Sequence, residues 1–243
     1  MRTIAFAKRC AKEILRDPLN LLFGLGFPVI LLLLLSAIQS NIPVELFQLS
    51  RLAPGICVFG LSFMTLFSAT LIARDRESAF LQRLYTTPLR SVDFILGYLL
   101  PLLPISLVQG ALCFLVAILL GMPVTIHILY AVFALLPSSI FYVSLGLLCG
   151  SLLNVKQAGG ICGALLTNLS AWLSGIWFDL ELVGGAFYKA ATFLPFLHAV
   201  ELERAIVSGD WSSALPHLAV VLLYAIVTAA GAVAVFLQQT GKQ

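Results

Sequence analysis

Five stretches of this 243-residue chain carry no charged side chain: Pro18 to Val44, Leu52 to Ala73, Phe94 to Val155, Gln157 to Phe178 and Trp211 to Gly241. A helix needs about 20 apolar residues to cross about 30 Å of hydrocarbon. Four of the stretches suit one crossing each. The longest suits two, with a turn at GMPVTIH, Gly121 to His127. The pattern predicts six spans, at Leu19–Ile38, Ala53–Ile72, Phe94–Leu120, Ile128–Leu152, Ala158–Phe178 and Ala214–Leu237. All are expected to be helices, giving an all-α polytopic membrane protein with one transmembrane domain over residues 1–243. Lipid cannot satisfy an open strand edge, and the period-2 alternation of a membrane barrel is absent. A soluble domain carries about 25% charged residues; this chain has 10%, with 60% hydrophobic.

Lysine and arginine orient the spans. Eleven of the fourteen lie before span 1, between spans 2 and 3, in the span 4–5 turn or in the tail; only Arg51, Lys189 and Arg204 lie on the other side. The positive side is cytoplasmic by the usual rule, so both termini are expected in the cytoplasm. The net charge of +3 thus reflects topology and points to no nucleic acid. The first apolar run is too long for a signal-peptide h-region and no small-residue cleavage site follows it, so span 1 is expected to be retained. Cys10, Cys57, Cys113, Cys149 and Cys162 make no CxxC pair and read as small buried apolar residues.

Against this background the stretch ARDRESAFLQRLYTTPLR, residues 73–90, stands apart. Seven of the 25 charged residues fall between Arg74 and Asp93. Residues 73–87 read as a cytoplasmic helix ended by Pro88. Phe80, Leu81, Leu84 and Tyr85 share one face; Arg76, Gln82, Arg83 and Thr86 point elsewhere. A helix lying on anionic headgroups explains the arginines but not Asp75 and Glu77. Mixed signs fit a protein partner better, because they fix register as well as attract.

RDRESAFLQRLYTTPLRSVDFILGYLL resembles the cytoplasmic loop of ABC-2 type transporter permeases, with its acidic–basic cluster, leucine-rich helix and Thr-Pro-Leu turn. LPFLHAVELERAIVSGDW, Leu194 to Trp211, resembles the Pro-containing segment that precedes the family's last span. The six-span architecture matches as well. One departure is Ser78-Ala79, where the family often has Gly. The resemblance implies a dimer around a translocation path, homo- or heteromeric, in the plasma membrane. It implies a coupling helix (73–90) docking in a separate ABC ATPase subunit, two copies per dimer, through Arg74, Asp75, Arg76, Glu77, Phe80, Leu81, Arg83, Leu84 and Tyr85. ATP and Mg would bind that partner. This sequence has no G-x-x-x-x-G-K-[ST] and is expected to be non-catalytic, binding no cofactor.

Other segments add expectations. In residues 1–17, Ile4, Ala7, Cys10, Ala11, Ile14 and Leu15 share a face away from Arg2, Lys8, Arg9, Lys12 and Arg16. An interfacial helix with its apolar face in lipid is expected. GGICGALL, Gly159 to Leu166, reads as a helix-packing face. The external connection, residues 179–213, contains the apolar piece Ala186 to Leu197, too short to span, and suggests a re-entrant or interfacial helix pair. Glu201, Glu203 and Arg204 are candidates for a local polar network. His198, Glu201 and Glu203 form H-x-x-E-x-E, which lacks the second nearby His of a zinc protease; no metal site is expected.

The spans as drawn hold no ionisable group, which disfavours small ions and proton-coupled solutes as cargo. Phe59, Phe63 and Phe67 in span 2, and Thr167, Asn168 and Trp172 in span 5, are candidates for the path on the strength of the resemblance; helix packing accounts for them equally. Pro101, Pro104 and Pro137 are expected to loosen spans 3 and 4. Export of a hydrophobic or amphipathic compound, such as a drug, antibiotic or lipid-like molecule, is the expected function. Polysaccharide or lipid-linked glycan export is the alternative.

Overall fold

The computed structural model describes residues 2–41, 47–78 and 91–240. Among them there are helices and no strands. We number them α1 (Arg2–Leu15), α2 (Pro18–Asn41), α3 (Leu49–Glu77), α4 (Ser91–Leu119), α5 (Ile126–Leu152), α6 (155–173), α7 (Leu180–Val183), α8 (Gly185–Phe193), α9 (Pro195–Ser208) and α10 (Trp211–Thr240). Two helices contain a π-helical stretch, Leu22–Gly26 in α2 and Ile161–Leu166 in α6. Helices α4 and α5 run unbroken through Pro101, Pro104 and Pro137.

Among the described residues five helices, α2, α3, α4, α5 and α10, are long and apolar enough to cross a membrane. The expected fifth span is not among them. Its helix stops at Leu173, and Ser174 to Phe178 continue without helical structure. From Ala158 that leaves about 24 Å of helix at 1.5 Å per residue. The segment nevertheless runs antiparallel to α3 from end to end. Its first amide, Val155, meets Glu77, Ala158 and Cys162 pack with Ala73 and Ala69, and Ile176 lies against Gly55.

Helix α3 is the axis of the protein. It is buried along nearly its whole length, whereas α2 and α10 expose most of theirs. Its closest neighbour is α5, and glycine makes that approach possible. A Cβ on Gly146 would stand 2.2 Å from the Thr65 carbonyl oxygen, and one on Gly150 2.2 Å from that of Ala69. Small residues four apart let backbones touch in this way. Thr65 and Ser68 use the closeness, donating to the carbonyls of Tyr142 and Val143 at 2.9 and 3.0 Å. In GGICGALL the glycines do less: a Cβ on Gly159 or Gly160 meets nothing within 4 Å, and only Gly163 nears a side chain of α3, Leu66.

The N-terminal helix is amphipathic as expected, but its buried stripe is Phe6, Cys10 and Ile14. Phe6 packs edge-on against Phe94 and Tyr98 of α4. Ile4 and Leu15 are exposed. Part of the face assigned to lipid therefore covers the protein instead.

Candidate functional site

At the lysine- and arginine-rich end, α3 does not stop where the sequence suggested. Nothing between Ala73 and Glu77 breaks a helix, so these residues form its last turn, capped at Ser78. The segment 73–90 is thus not a single separate helix. Ala79 to Arg90, with Phe80, Leu81, Arg83, Leu84 and Tyr85, lie outside the described residues.

Asp75 faces inward at 2% exposure. It continues the buried stripe Leu61, Met64, Ser68, Ile72, spaced at three and four residues, so the helix carries its carboxylate into the core. Arg9 of α1 reaches it with both guanidinium nitrogens, one at 2.6 Å to Oδ1 and the other to Oδ2. Tyr98 of α4 donates its hydroxyl to Oδ2 at 2.8 Å. Arg9 also pairs with Glu13 at 2.7 Å. Burial works against the Arg9 charge, but the bonded Asp75 outweighs it and holds the guanidinium above its ordinary value. Burial pushes the neighbouring Cys10 thiol up to about 12.

The other three charges divide their work. Arg76 donates to the carbonyls of Gly150 and Leu153 at 2.8 and 3.2 Å, satisfying the C-terminus of α5. Glu77 accepts from the Val155 amide at 2.9 Å, at the N-terminus of α6. Arg74 is exposed. The cluster therefore clamps α1, α4 and the α5–α6 turn to the end of α3. Arg9 and Tyr98 were not singled out from sequence; the core-facing register of Asp75 was the signal that called for them.

The opposite end has its own latch. Arg204 on α9 pairs with Glu201 at 2.8 Å and donates to the carbonyls of Arg51 and Gly175 at 3.2 and 3.1 Å. It thereby ties α9 to the start of α3 and to the chain beyond α6. Glu203 does not join them. Two positions from Glu201 it lies on the opposite face of the helix, 0% exposed, with neither carboxylate oxygen hydrogen-bonded. It sits near Cys57 of α3, and burial alone drives its acidity down, raising its pKa well above the ordinary glutamate value. His198 instead meets His217 of α10, Nδ1 to Nδ1 at 2.8 Å, with its Nε2 on the Thr192 carbonyl at 2.9 Å. A carbonyl only accepts, so Nε2 carries the proton. His198, Glu201 and Glu203 thus point three ways.

The path candidates part company. Phe59, Phe63 and Phe67 are buried. Phe59 packs on Trp177, and Phe63 meets Phe27 and Phe23 of α2. Thr167 is buried, its hydroxyl on the Cys162 carbonyl. Asn168 and Trp172 are exposed on α6.

Apolar spans around a buried axis, with charge gathered at their ends, define a multi-pass helical membrane protein. Its family is equally plain: the model of the ABC-2 type transporter matches residues 1–207, and the chain belongs to that family. It is the membrane permease component of an ABC transporter, a kind of subunit that works with an ABC ATPase. No curated protein matches the chain.

Proposed function

We propose that this permease exports a hydrophobic or amphipathic compound, driven by a separate ATPase that docks on residues 79–90 and the exposed Arg74 beside them. The observation that carries the reading is the clamp at the end of α3. Arg9, Tyr98, Arg76 and Glu77 join the helix leading into 79–90 to α1, α4 and the α5–α6 turn. A push on that segment is therefore delivered to most of the bundle at once. Side chains held by bonds to backbone at helix ends move with those ends.

The six-pass topology belongs to the same proposal. The 155–176 segment follows α3 from Glu77 to Gly55, about 33 Å along that helix by its rise, with 174–176 completing what the short helix α6 begins. Both termini then face the cytoplasm and α7 to α9 lie at the outer side. The exposed Asn168 and Trp172 of α6 face a second protomer across the path, and Phe59 of α3, packed on Trp177, supports that wall from behind.

The test is retention of the ATPase on affinity-tagged permease. Leu84→Ala and Tyr85→Ala should each weaken binding roughly thirtyfold for a lost anchor of about 2 kcal/mol and lower retention accordingly, with unchanged permease melting. Wild-type retention and wild-type stimulation of ATP hydrolysis in both variants would overturn the docking reading.

A further inference from the structure

One cavity among the described residues lies outside the spans. It is a cleft of about 740 Å³ between α1 and the end of α3, open at the point where α2 begins. Lys8, Lys12 and Arg16 line it from α1 and the α1–α2 turn, and Arg74 lines it from α3. All four are exposed.

The acids around them are already engaged. Glu13 is paired with Arg9, which also holds Asp75. Asp17 accepts from the Asn20 amide and side chain at 3.2 and 2.8 Å, capping α2. Five cations, counting Arg9, stand against these three carboxylates, so the cleft is positive by two. The residues not described at this end, 79–90, include no acid. Lys8 and Lys12 are one turn apart on α1 and present parallel donors to one anion.

The surroundings decide which anion. Pro18 lines the cleft and opens α2, a membrane-spanning helix. Directly below, α2 leaves an apolar stripe bare, with Leu19 and Leu22 where the helix begins and Ile30 and Leu33 after its π-helical stretch, all exposed. A free phosphate would use the charges and ignore this stripe. An acidic protein segment would leave it bare as well. A phospholipid uses both: its phosphate enters the cleft and its acyl chains follow the leucines.

We propose that the cleft is a binding site for an anionic phospholipid, with the headgroup phosphate held by Lys8, Lys12, Arg16 and Arg74 and the chains lying along α2. The site places a lipid against α1 and Arg74, beside the clamp on Asp75. Occupancy neutralises cations that otherwise repel one another across the cleft.

The test is a titration of full-length, detergent-purified permease with phosphatidylglycerol, read by native mass spectrometry. Phosphatidylcholine with the same chains is the parallel probe, and inorganic phosphate and glycerol phosphate are the competitors. Phosphatidylglycerol should bind more tightly than phosphatidylcholine. Lys8→Gln with Lys12→Gln should weaken it roughly thirtyfold, about fivefold for each basic residue facing an anionic headgroup, and Arg74→Gln about fivefold. Lys156→Gln with Lys242→Gln removes the same charge elsewhere and should leave binding unchanged. Lys8 and Lys12 are exposed and make no ion pair among the described residues, so melting reports whether the double variant is folded. Equal binding of the two lipids, or equal loss in the control pair, overturns the site. Displacement of the lipid by millimolar phosphate assigns the cleft to soluble anions and overturns the lipid. Unchanged lipid binding in the Lys8/Lys12 variant, with loss of the ATPase partner, assigns it to a protein surface and overturns it as well.

Discussion

Replacing Glu203 by glutamine should change the stability of this protein in a pH-dependent way. Glu203 is fully buried on α9 with both carboxylate oxygens unsatisfied, and burial raises its pKa well above the ordinary value. The folded chain therefore keeps a proton that the unfolded chain releases above about pH 4.3. Below that pH both states are neutral at this position, and glutamine is a fair mimic. As pH rises, the wild type loses about 1.4 kcal/mol of stability for each unit until the folded value is passed. Glu203→Gln has no proton to lose. The variant should match the wild type near pH 4.5 and gain on it as pH rises from there toward the raised value of the folded state. For a chain of this length 1 kcal/mol moves the melting temperature by roughly 2–4 °C, so the gap should widen by about 3–6 °C per unit. Fluorescence-monitored melts of the two proteins in the same detergent at each pH measure it. A gap independent of pH, or a wild type more stable than the variant at pH 7, would show that Glu203 is ionised and has a partner.

Three further outcomes are expected. Arg9→Gln strips the buried Asp75 of its cation and should cost about 2–4 kcal/mol, the lower part of the range for breaking a buried pair because the Arg9 side chain is 34% exposed; Asp75→Asn in the same chain should restore most of it, and melts of the two single variants and the double variant decide. Gly150→Val drives a side chain into the Ala69 carbonyl and should cost at least 1–3 kcal/mol or abolish folding, whereas Gly159→Ala meets open space and should be neutral or stabilising by up to about 1 kcal/mol, as measured by yield and melting of purified protein. In sealed cells a cysteine at Ser78 should resist a membrane-impermeant thiol reagent and one at Gly185 should react; the reverse pattern would invert the proposed orientation.

How much of this was legible in the sequence depends on the kind of signal. The spans were written in the gaps between charges, because a single lysine is costly inside a bilayer and its absence over 20 residues is informative. The latch between Glu201 and Arg204 was legible from i, i+3 spacing. Glu203 was misplaced by proximity: counting helical turns puts it with Phe196, Val200 and Ile206, all buried, and away from Glu201. The charges at 74–77 looked like a surface because they were adjacent in sequence. A helix sends adjacent residues about 100° apart, so one went into the core, two capped other helices and one stayed outside. The glycines of the Gly159 region were marked as a packing face, whereas Gly146 and Gly150, which meet the backbone of α3, were not, because only tertiary packing decides which glycine faces a backbone. The shortness of α6 was hidden for a related reason: an uncharged run fixes where a chain can cross, not where its hydrogen bonds stop.

The burial of α3 also sets an order of events during synthesis. Chains insert from the N-terminus at about 5–20 residues per second, so α3 waits several seconds for α5, its closest neighbour, to be made. During that interval Thr65 lacks the Tyr142 carbonyl to which it donates in the finished protein. Ser62 and Thr70 need no later helix, since they donate to Phe59 and Leu66 within α3 itself, and Ser68 has a bond to Thr65 in reserve. Asp75 is better served still. Its cation, Arg9, was translated before it and is at hand when the carboxylate emerges, so the most expensive group on the axis waits only for the Tyr98 hydroxyl and never for its counter-charge.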